Sequence, residues 1–312
     1  MEAIAIPATN QVPVTPTVLK AFVVTLVGEY SASTIKNYIN GVRAWHIIHG
    51  LPWYNQDIEL EALCKATCTL APATSKKPPQ EPWTKAFIIK LHSQLNMNDP
   101  LDTTVYACLT MTFYSASRLG EFTQKKLKDF DARIHISPRN VHLDVHCLGY
   151  KCMVFHLPST KAAQQDGKNV SWARQDNVTD PEAAYVNHRW VNTSPGNGTL
   201  FAYRYQKGWK ELTKNKFLER TSKAAIACQL TPLQGHGIQI GAILKYLLRG
   251  MPFEVMKFKG WAGDSFEKYL WKHAQIIAPY IQSESALQHQ ILQLSMQTPS
   301  LPRVHWGVGI VS

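Results

Sequence analysis

Three short clusters of polar residues in this chain sit in otherwise apolar surroundings. In the first, Ser117-Arg118-Leu119-Gly120-Glu121 follows the apolar run from Ala107 to Tyr114. A guanidinium at the end of a buried helix is costly unless it is paired, and Glu121, three residues on, is close enough to hold it. The second cluster is Leu157-Pro158-Ser159-Thr160-Lys161, which puts a lysine just past a strand-like segment. The third opens with Gly235-His236-Gly237-Ile238-Gln239, continues through Lys259-Gly260-Trp261 and ends at Phe266-Glu267-Lys268-Tyr269. Residues of these types can carry charge, donate hydrogen bonds or exchange a proton. Each residue also has a plain structural reading. Arg118 and Glu121 would be an ion pair, Lys161 a solvated turn lysine, and His236 and Tyr269 core residues making one hydrogen bond each.

The elements that must hold these clusters follow from the hydrophobic pattern. Val18, Leu19, Phe22, Val23 and Leu26 recur at helical spacing, and Ser33 is expected to cap a second helix burying Ile35, Tyr38, Ile39, Val42 and Trp45. Gly50 and Pro52 end it, and a short helix from Leu60 to Cys68 completes a small all-helical module over residues 1–70. Lys36, Arg43 and His46 lie on or near its second helix. The stretch 71–82 includes Pro78, Pro79 and Pro82, which forbid a continuous helix and favour an extended connector. After this linker the pattern predicts helices near 83–96 and 101–117 and short antiparallel strands at Ala132–Ser137 and Cys152–Leu157. Further helices are expected at 181–191, 209–228, 238–249, 252–258 and 265–277. Ser285 with Gln288 three residues on forms a capping-box signature for a last amphipathic helix, 285–296, whose apolar face is Leu287, Ile291 and Leu294. The expected fold class is mainly α with a small antiparallel β-sheet, an α+β chain.

Composition narrows the partners. The 312 residues hold 33 Lys and Arg against 22 Asp and Glu, a formal charge of +11, with 45% hydrophobic and 10% aromatic residues, enough for a real core. The charge is uneven. Residues 1–80 hold six basic and five acidic residues, and the remainder holds 27 and 17. A polyanion is the expected partner, touched mainly by the second part. Met1–Gln11 has no basic segment leading into an apolar run, and stretches such as Ala21–Val27 are too short to span a bilayer, so neither a secretory signal nor a membrane span is expected. Six dilute cysteines suit free thiols inside the cell, and Cys64 and Cys68 have no Cys or His pair nearby at zinc-ligand spacing, so no metal is expected.

Taken in order, the clusters resemble the tyrosine recombinase/integrase family of DNA breaking and rejoining enzymes. Arg118-Leu119-Gly120-Glu121 resembles the first arginine box and Lys161 the catalytic lysine on its hairpin. His236 resembles the opening of the His-x-x-Arg box, Trp261 the later His/Trp position, and Tyr269 the nucleophile. The stretch from Gly235 through Tyr280 is also similar to recombinase-like proteins derived from fungal mobile elements. The resemblance implies a helical, SAM-like core-binding domain over 1–70, a linker at 71–82, a catalytic domain over 83–280 and a C-terminal helix and tail over 281–312. It further implies duplex DNA held between the two domains, with Lys36, Arg43, Lys76 and Lys77 among the DNA contacts, and a nuclear location. Copies of the chain would assemble on DNA through the C-terminal helix. Neither a cofactor nor a small-molecule substrate is implied.

Two departures from the family pattern bear on catalysis. Gln239 stands where the second arginine of His-x-x-Arg belongs, and by analogy with removing one preorganised donor its loss slows cleavage on the order of a hundred- to a thousandfold. The interval from Gly260 to Tyr269 is one residue shorter than usual, which turns a helical residue by about 100°. The resemblance therefore implies impaired cleavage through a 3′-phosphotyrosine. The alternative is a catalytically inactive, recombinase-derived protein that binds DNA or a protein partner.

Overall fold

The computed structural model describes residues 12–75, 80–124, 130–145, 149–160, 163, 165–252 and 255–256. The chain divides into two compact units, Met1–Pro79 and Gln80–Ser312. It is an α+β protein with small antiparallel sheets, as the pattern predicted. No helix among the described residues is long and apolar enough to cross a membrane.

In the first unit, α1 (Pro16–Leu26) starts on a proline, whose missing N–H suits the first turn, and Thr15 caps it. Helix α2 (Ala32–Ile48) is capped by Ser31 rather than Ser33, with Ser31 Oγ accepting from the Thr34 N–H. Helix α3 (Asp57–Thr69) closes the unit over a core of Val14, Leu19, Val23, Ile35 and Ile39. The expected buried face of α2 is corrected here. Tyr38 and Trp45 are each 43% exposed, whereas His46 is buried. The buried stripe of so small a unit is narrow and runs through Ile35, Ile39 and His46, one position away from the two aromatics. His46 qualifies for it because both its ring nitrogens are satisfied. Nε2 accepts from the Val14 N–H, and Nδ1 donates to the Val42 carbonyl, each at 2.9 Å.

The second unit is built around α5 (Pro100–Ser115), buried along its length from Asp102 to Ser115. Such a helix must be satisfied on every side, and its threonines manage this by donating back to carbonyls one turn earlier, as Thr104 does to Pro100 and Thr112 to Cys108. Helix α4 (Lys85–His92) precedes it and the short α6 (Leu119–Phe122) follows. A three-stranded antiparallel sheet of β1 (Val141–Val145), β2 (Lys151–Leu157) and β3 (Lys168–Trp172) packs on α6 through Phe122 and Phe155, whose ring centroids are 5.8 Å apart. After α7 (Pro181–Asn192), a hairpin of β4 (Ala202–Tyr205) and β5 (Gly208–Glu211) leads into α8 (Lys214–Ala227), and α9 (His236–Leu247) lies against α5. Arg220 of α8 clamps Asp102 at the start of α5 with two bonds of 2.6 and 2.7 Å.

Two expectations fail in this unit. Residues 132–137 form no strand, because the Asp131 carboxylate accepts from the Arg133 backbone and guanidinium and folds the chain into a turn. The strand comes later, at β1. The expected helix at 209–228 begins only at Lys214, where Thr213 caps it, since residues 208–211 are spent pairing with β4. The helices expected at 265–277 and 285–296 lie outside the described residues.

Two close approaches fix α9. The Trp83 N–H donates to the Gly237 carbonyl and Trp83 Nε1 donates to that of Gln234, each at 3.0 Å. A Cβ at Gly241 would collide with the Trp83 carbonyl oxygen, and one at Gly237 with that of Glu81. Gly241→Ala should therefore cost at least the ~1–3 kcal/mol typical of overpacking, read as a lowered urea midpoint.

A second prediction comes from His188, which is fully buried on α7. Its Nε2–H donates to the Leu200 carbonyl at 3.0 Å and its Nδ1 faces Asn192 and Thr104. Burial above all lowers its pKa from 6.5 to about 4. The unfolded chain thus takes up a proton near pH 6.5 that the folded chain refuses. Stability present above pH 6.5 should fall by about 2 kcal/mol between pH 7 and pH 5, and the folded His188 ring should not titrate over that interval by NMR.

Candidate nucleic-acid site

The candidate site begins where α5 ends. Ala116 takes a left-handed conformation, φ 54°, and closes the helix, after which Ser117 and Arg118 turn the chain into α6. Glu121 holds Arg118 twice. Its Oε2 accepts from the Arg118 backbone N–H at 2.9 Å and its Oε1 lies 3.4 Å from guanidinium Nη1. The Arg118 side chain is 41% exposed, and Glu121 meets its guanidinium through Nη1 alone.

His236 reaches the same place from α9. Gly235, just before it, is packed so tightly that a Cβ there would lie 2.8 Å from Leu119 Cδ2 and 3.4 Å from Leu218 Cδ2. Leu119 follows Arg118 in the chain, and Leu218 lies one turn beyond Lys214 on α8. The meeting of these three apolar residues thus brings Arg118, His236 and Lys214 together. The electrostatics agree. His236 has its pKa lowered below 6.5 by burial first, then by repulsion from Arg118 and Lys214, so at neutral pH it is an uncharged imidazole able to donate one hydrogen bond.

Lys168 comes from the sheet. In the register of β2 and β3 it stands opposite Leu157, as Val170 stands opposite Phe155 and Trp172 opposite Met153, so all three share the face turned into the core. It is only partly exposed, and its pKa is lowered by burial, then raised by Glu121 and lowered by Arg118. Sequence reasoning missed both Lys168 and Lys214. The alternation Lys168, Val170, Trp172 and the Thr213 cap show only that one lysine belongs to a strand face and the other to a helix start, not that both come near Arg118.

Gln239 does not join this group as a donor. It is 3% exposed, and its Nε2 donates to the Ala116 carbonyl at 3.0 Å. Its Oε1 is buried with no hydrogen-bond partner among the described residues. The amide thus braces the left-handed turn that presents Arg118. Lys161, Trp261 and Tyr269 lie outside the described residues, as do Lys76 and Lys77. Between β2 and β3 the Thr160 N–H donates to the Ala163 carbonyl at 3.0 Å.

In the first unit, Lys36 and Arg43 lie seven residues apart on α2. Lys36 is exposed, whereas Arg43 is bound to Asp57 at 2.7 Å and sits over the Trp53 ring. Among the described residues no group of His, Cys, Asp or Glu could hold a metal ion, and the five described cysteines are free thiols.

No family model matches the chain, and no curated protein matches it. Among solved structures it is similar to a Flp recombinase–Holliday junction complex, with 12% identity over 59% of this chain and 45% of that one, TM-score 0.39. A Tn1549 transposon integrase in complex with transposon right end DNA shows 13% identity over 93% of this chain and 87% of that one, TM-score 0.45. The same integrase in complex with circular intermediate DNA shows 12% identity over the same shares, TM-score 0.44. The chain spans about half the length of the Flp chains it matches, 45% and 53%.

The bracing role of Gln239 yields a prediction. Gln239→Arg would force a charge into a closed position and remove the donor to Ala116, so it should destabilise the fold by about 1–3 kcal/mol in urea denaturation instead of adding a usable cation.

Proposed function

We propose that this protein is a tyrosine-recombinase-type DNA-binding protein that grips a backbone phosphate of duplex DNA at Arg118 and His236, with strand cleavage through Tyr269 impaired. The observation that carries the reading is the convergence of Arg118 and His236, from elements far apart in sequence, at the meeting of Leu119, Leu218 and Gly235. An ion pair kept only for packing needs neither the exposed guanidinium nor a neutral imidazole pressed beside it. The basic excess of residues 81–312 supplies further sequence-independent phosphate contacts.

In cleavage, the Tyr269 hydroxyl gives up its proton to solvent as its oxygen attacks phosphorus, the bond to the 5′ oxygen breaks, and Lys161 protonates that oxygen as it leaves. The 3′ end stays on the tyrosine, so the bond energy is kept for religation and no cofactor is required. Arg118 neutralises the non-bridging oxygens, and the His236 and Trp261 N–H groups hydrogen-bond them. Gln239 adds no charge, which is the basis for the impairment. Its inward bond to Ala116 also favours a second reading, a protein that keeps the fold for DNA binding alone. Within the same proposal the protein acts in the nucleus, descends from a mobile element, and assembles on DNA through residues 285–296.

Two measurements separate these readings. In salt-dependent binding to a duplex, the full chain should bind at about 50 mM salt, and Arg118→Ala should weaken binding and reduce the salt slope by about 0.9. Absence of binding at that salt overturns both readings. On a nicked suicide duplex, impaired cleavage gives a slow covalent adduct on a denaturing gel that Tyr269→Phe abolishes. Duplex binding with no adduct assigns the binding-only reading.

A further inference from the structure

The cationic group around Arg118 contains more positive charge than the proposed phosphate contacts use. We propose that Lys168 and Lys214 complete the phosphate seat with Arg118 and His236, and supply the positive charge that Gln239 does not. The inference rests on the DNA-binding reading and names the charge-bearing residues of that same site.

Placement carries it. Lys214 is the first residue of α8, and its backbone is tied to the end of α6, the Lys214 N–H donating to the Gln124 carbonyl at 3.2 Å and the Gln124 N–H to that of Leu212 at 3.1 Å. One turn on, Leu218 meets the Gly235–Leu119 contact, so α8 runs past the spot where Arg118 and His236 meet. Lys168 comes from the sheet, on the core-turned face of β3. Gly167 before it, at φ 64°, is so close to the Leu157 carbonyl that no Cβ fits, which fixes where the strand begins. Arg118, Lys168 and Lys214 are thus held on three separate elements, with His236 among them and Glu121 the carboxylate that Arg118 and Lys168 both feel.

Such a grouping is a poor choice for stability. Lys168 and Arg118 repel, and both Arg118 and Lys214 work against a charge on His236. A phosphodiester placed among them relieves that repulsion, and Arg118 can engage two of its oxygens while the ammonium groups act as point charges. Inorganic phosphate shares this chemistry, so the test must tell the two sources apart.

The full chain is titrated with a duplex of about 30 base pairs over a range of salt, alongside Lys168→Gln, Lys214→Gln, Lys214→Arg and Arg118→Ala. Each Lys→Gln variant should bind several-fold more weakly and lower the salt slope by about 0.9, and Lys214→Arg should restore both. Lys223→Gln, whose ammonium is held by Glu219 at 2.8 Å further along α8, should leave the slope unchanged. The pKa of His236, read by NMR in the absence of DNA, should rise in Lys214→Gln, which a merely structural role for Lys214 would not produce. If Arg118→Ala lowers the slope and neither Lys→Gln variant does, or if Lys223→Gln lowers it equally, the inference falls while the DNA reading stands. If Arg118→Ala is also without effect, the DNA reading itself falls. Inorganic phosphate titrated against the His236 signal forms the other arm. A response lost in the Lys→Gln variants, with duplex binding unaffected, would assign the seat to free phosphate and overturn its assignment to DNA.

Discussion

The candidate site depends on how closely the backbone of α9 lies against the segment that leads into α4. Gly237 and Gly241 leave no room for a side chain beside Glu81 and Trp83, and Trp83 returns two hydrogen bonds to the start of the helix. From that seat α9 performs two tasks. Its first residue, His236, is set beside Arg118 because Gly235 packs against Leu119. Its fourth, Gln239, reaches beneath α5 to the Ala116 carbonyl and braces the left-handed turn from which Arg118 emerges. A shift of α9 would thus move His236 and loosen Arg118 together, which couples packing in the core to the geometry of the surface.

Much of this was legible in the sequence wherever one periodicity dominated. The helices at 16–26, 100–115, 181–192 and 236–247 follow apolar repeats, and the first three start on side-chain caps such as Asp99, whose carboxylate accepts from two N–H groups of the first turn. The failures occur where a local side-chain bond or a long-range pairing outweighed the pattern. Asp131 turned an apolar alternation at 132–137 into a turn, and pairing with β4 claimed residues 208–211 before α8 could begin. His46 entered the core because of a bond to Val14, 32 residues away, that no window of sequence reveals. In the site, Arg118 and His236 were recognisable as residue types in order. Lys168 and Lys214 were not, because their relevance arises only when β3 and α8 are placed beside α6.

The charge distribution has a consequence for how the site holds its shape. Like charges gathered on one surface weaken the folded state, and a chain that keeps them must hold their backbones rigidly elsewhere. Here the anchors are apolar or neutral. They are the Leu119–Leu218–Gly235 contact, the aromatic packing of Phe122 on Phe155, and the brace from Gln239. Among the described residues Glu121 is the acid drawn into the group, and it binds the Arg118 backbone as well as its guanidinium, so it orients the arginine without cancelling it. His236, whose pKa is lowered by burial first and then by its cationic neighbours, adds a donor without adding to the repulsion.

Gln239 takes on a different meaning in this setting. An arginine at this position with its side chain directed inward would leave a guanidinium in a nearly closed space beside the end of α5, where its charge must find oxygens or be strongly penalised. The amide satisfies the Ala116 carbonyl without that cost, at the expense of one buried oxygen lacking a partner among the described residues. Positioning and charge have thus been separated in this protein. The brace comes from α9, and in the proposed seat the further positive charge beside Arg118 belongs to lysines on β3 and α8. A phosphate held by one arginine and two point charges is gripped less directionally than one held by two planar forks, because ammonium groups do not fix the angle at which oxygens approach. That difference matters little for holding DNA. It matters more for an in-line displacement, whose geometry must be set at phosphorus, so under the proposed reading it weighs against cleavage more than against binding.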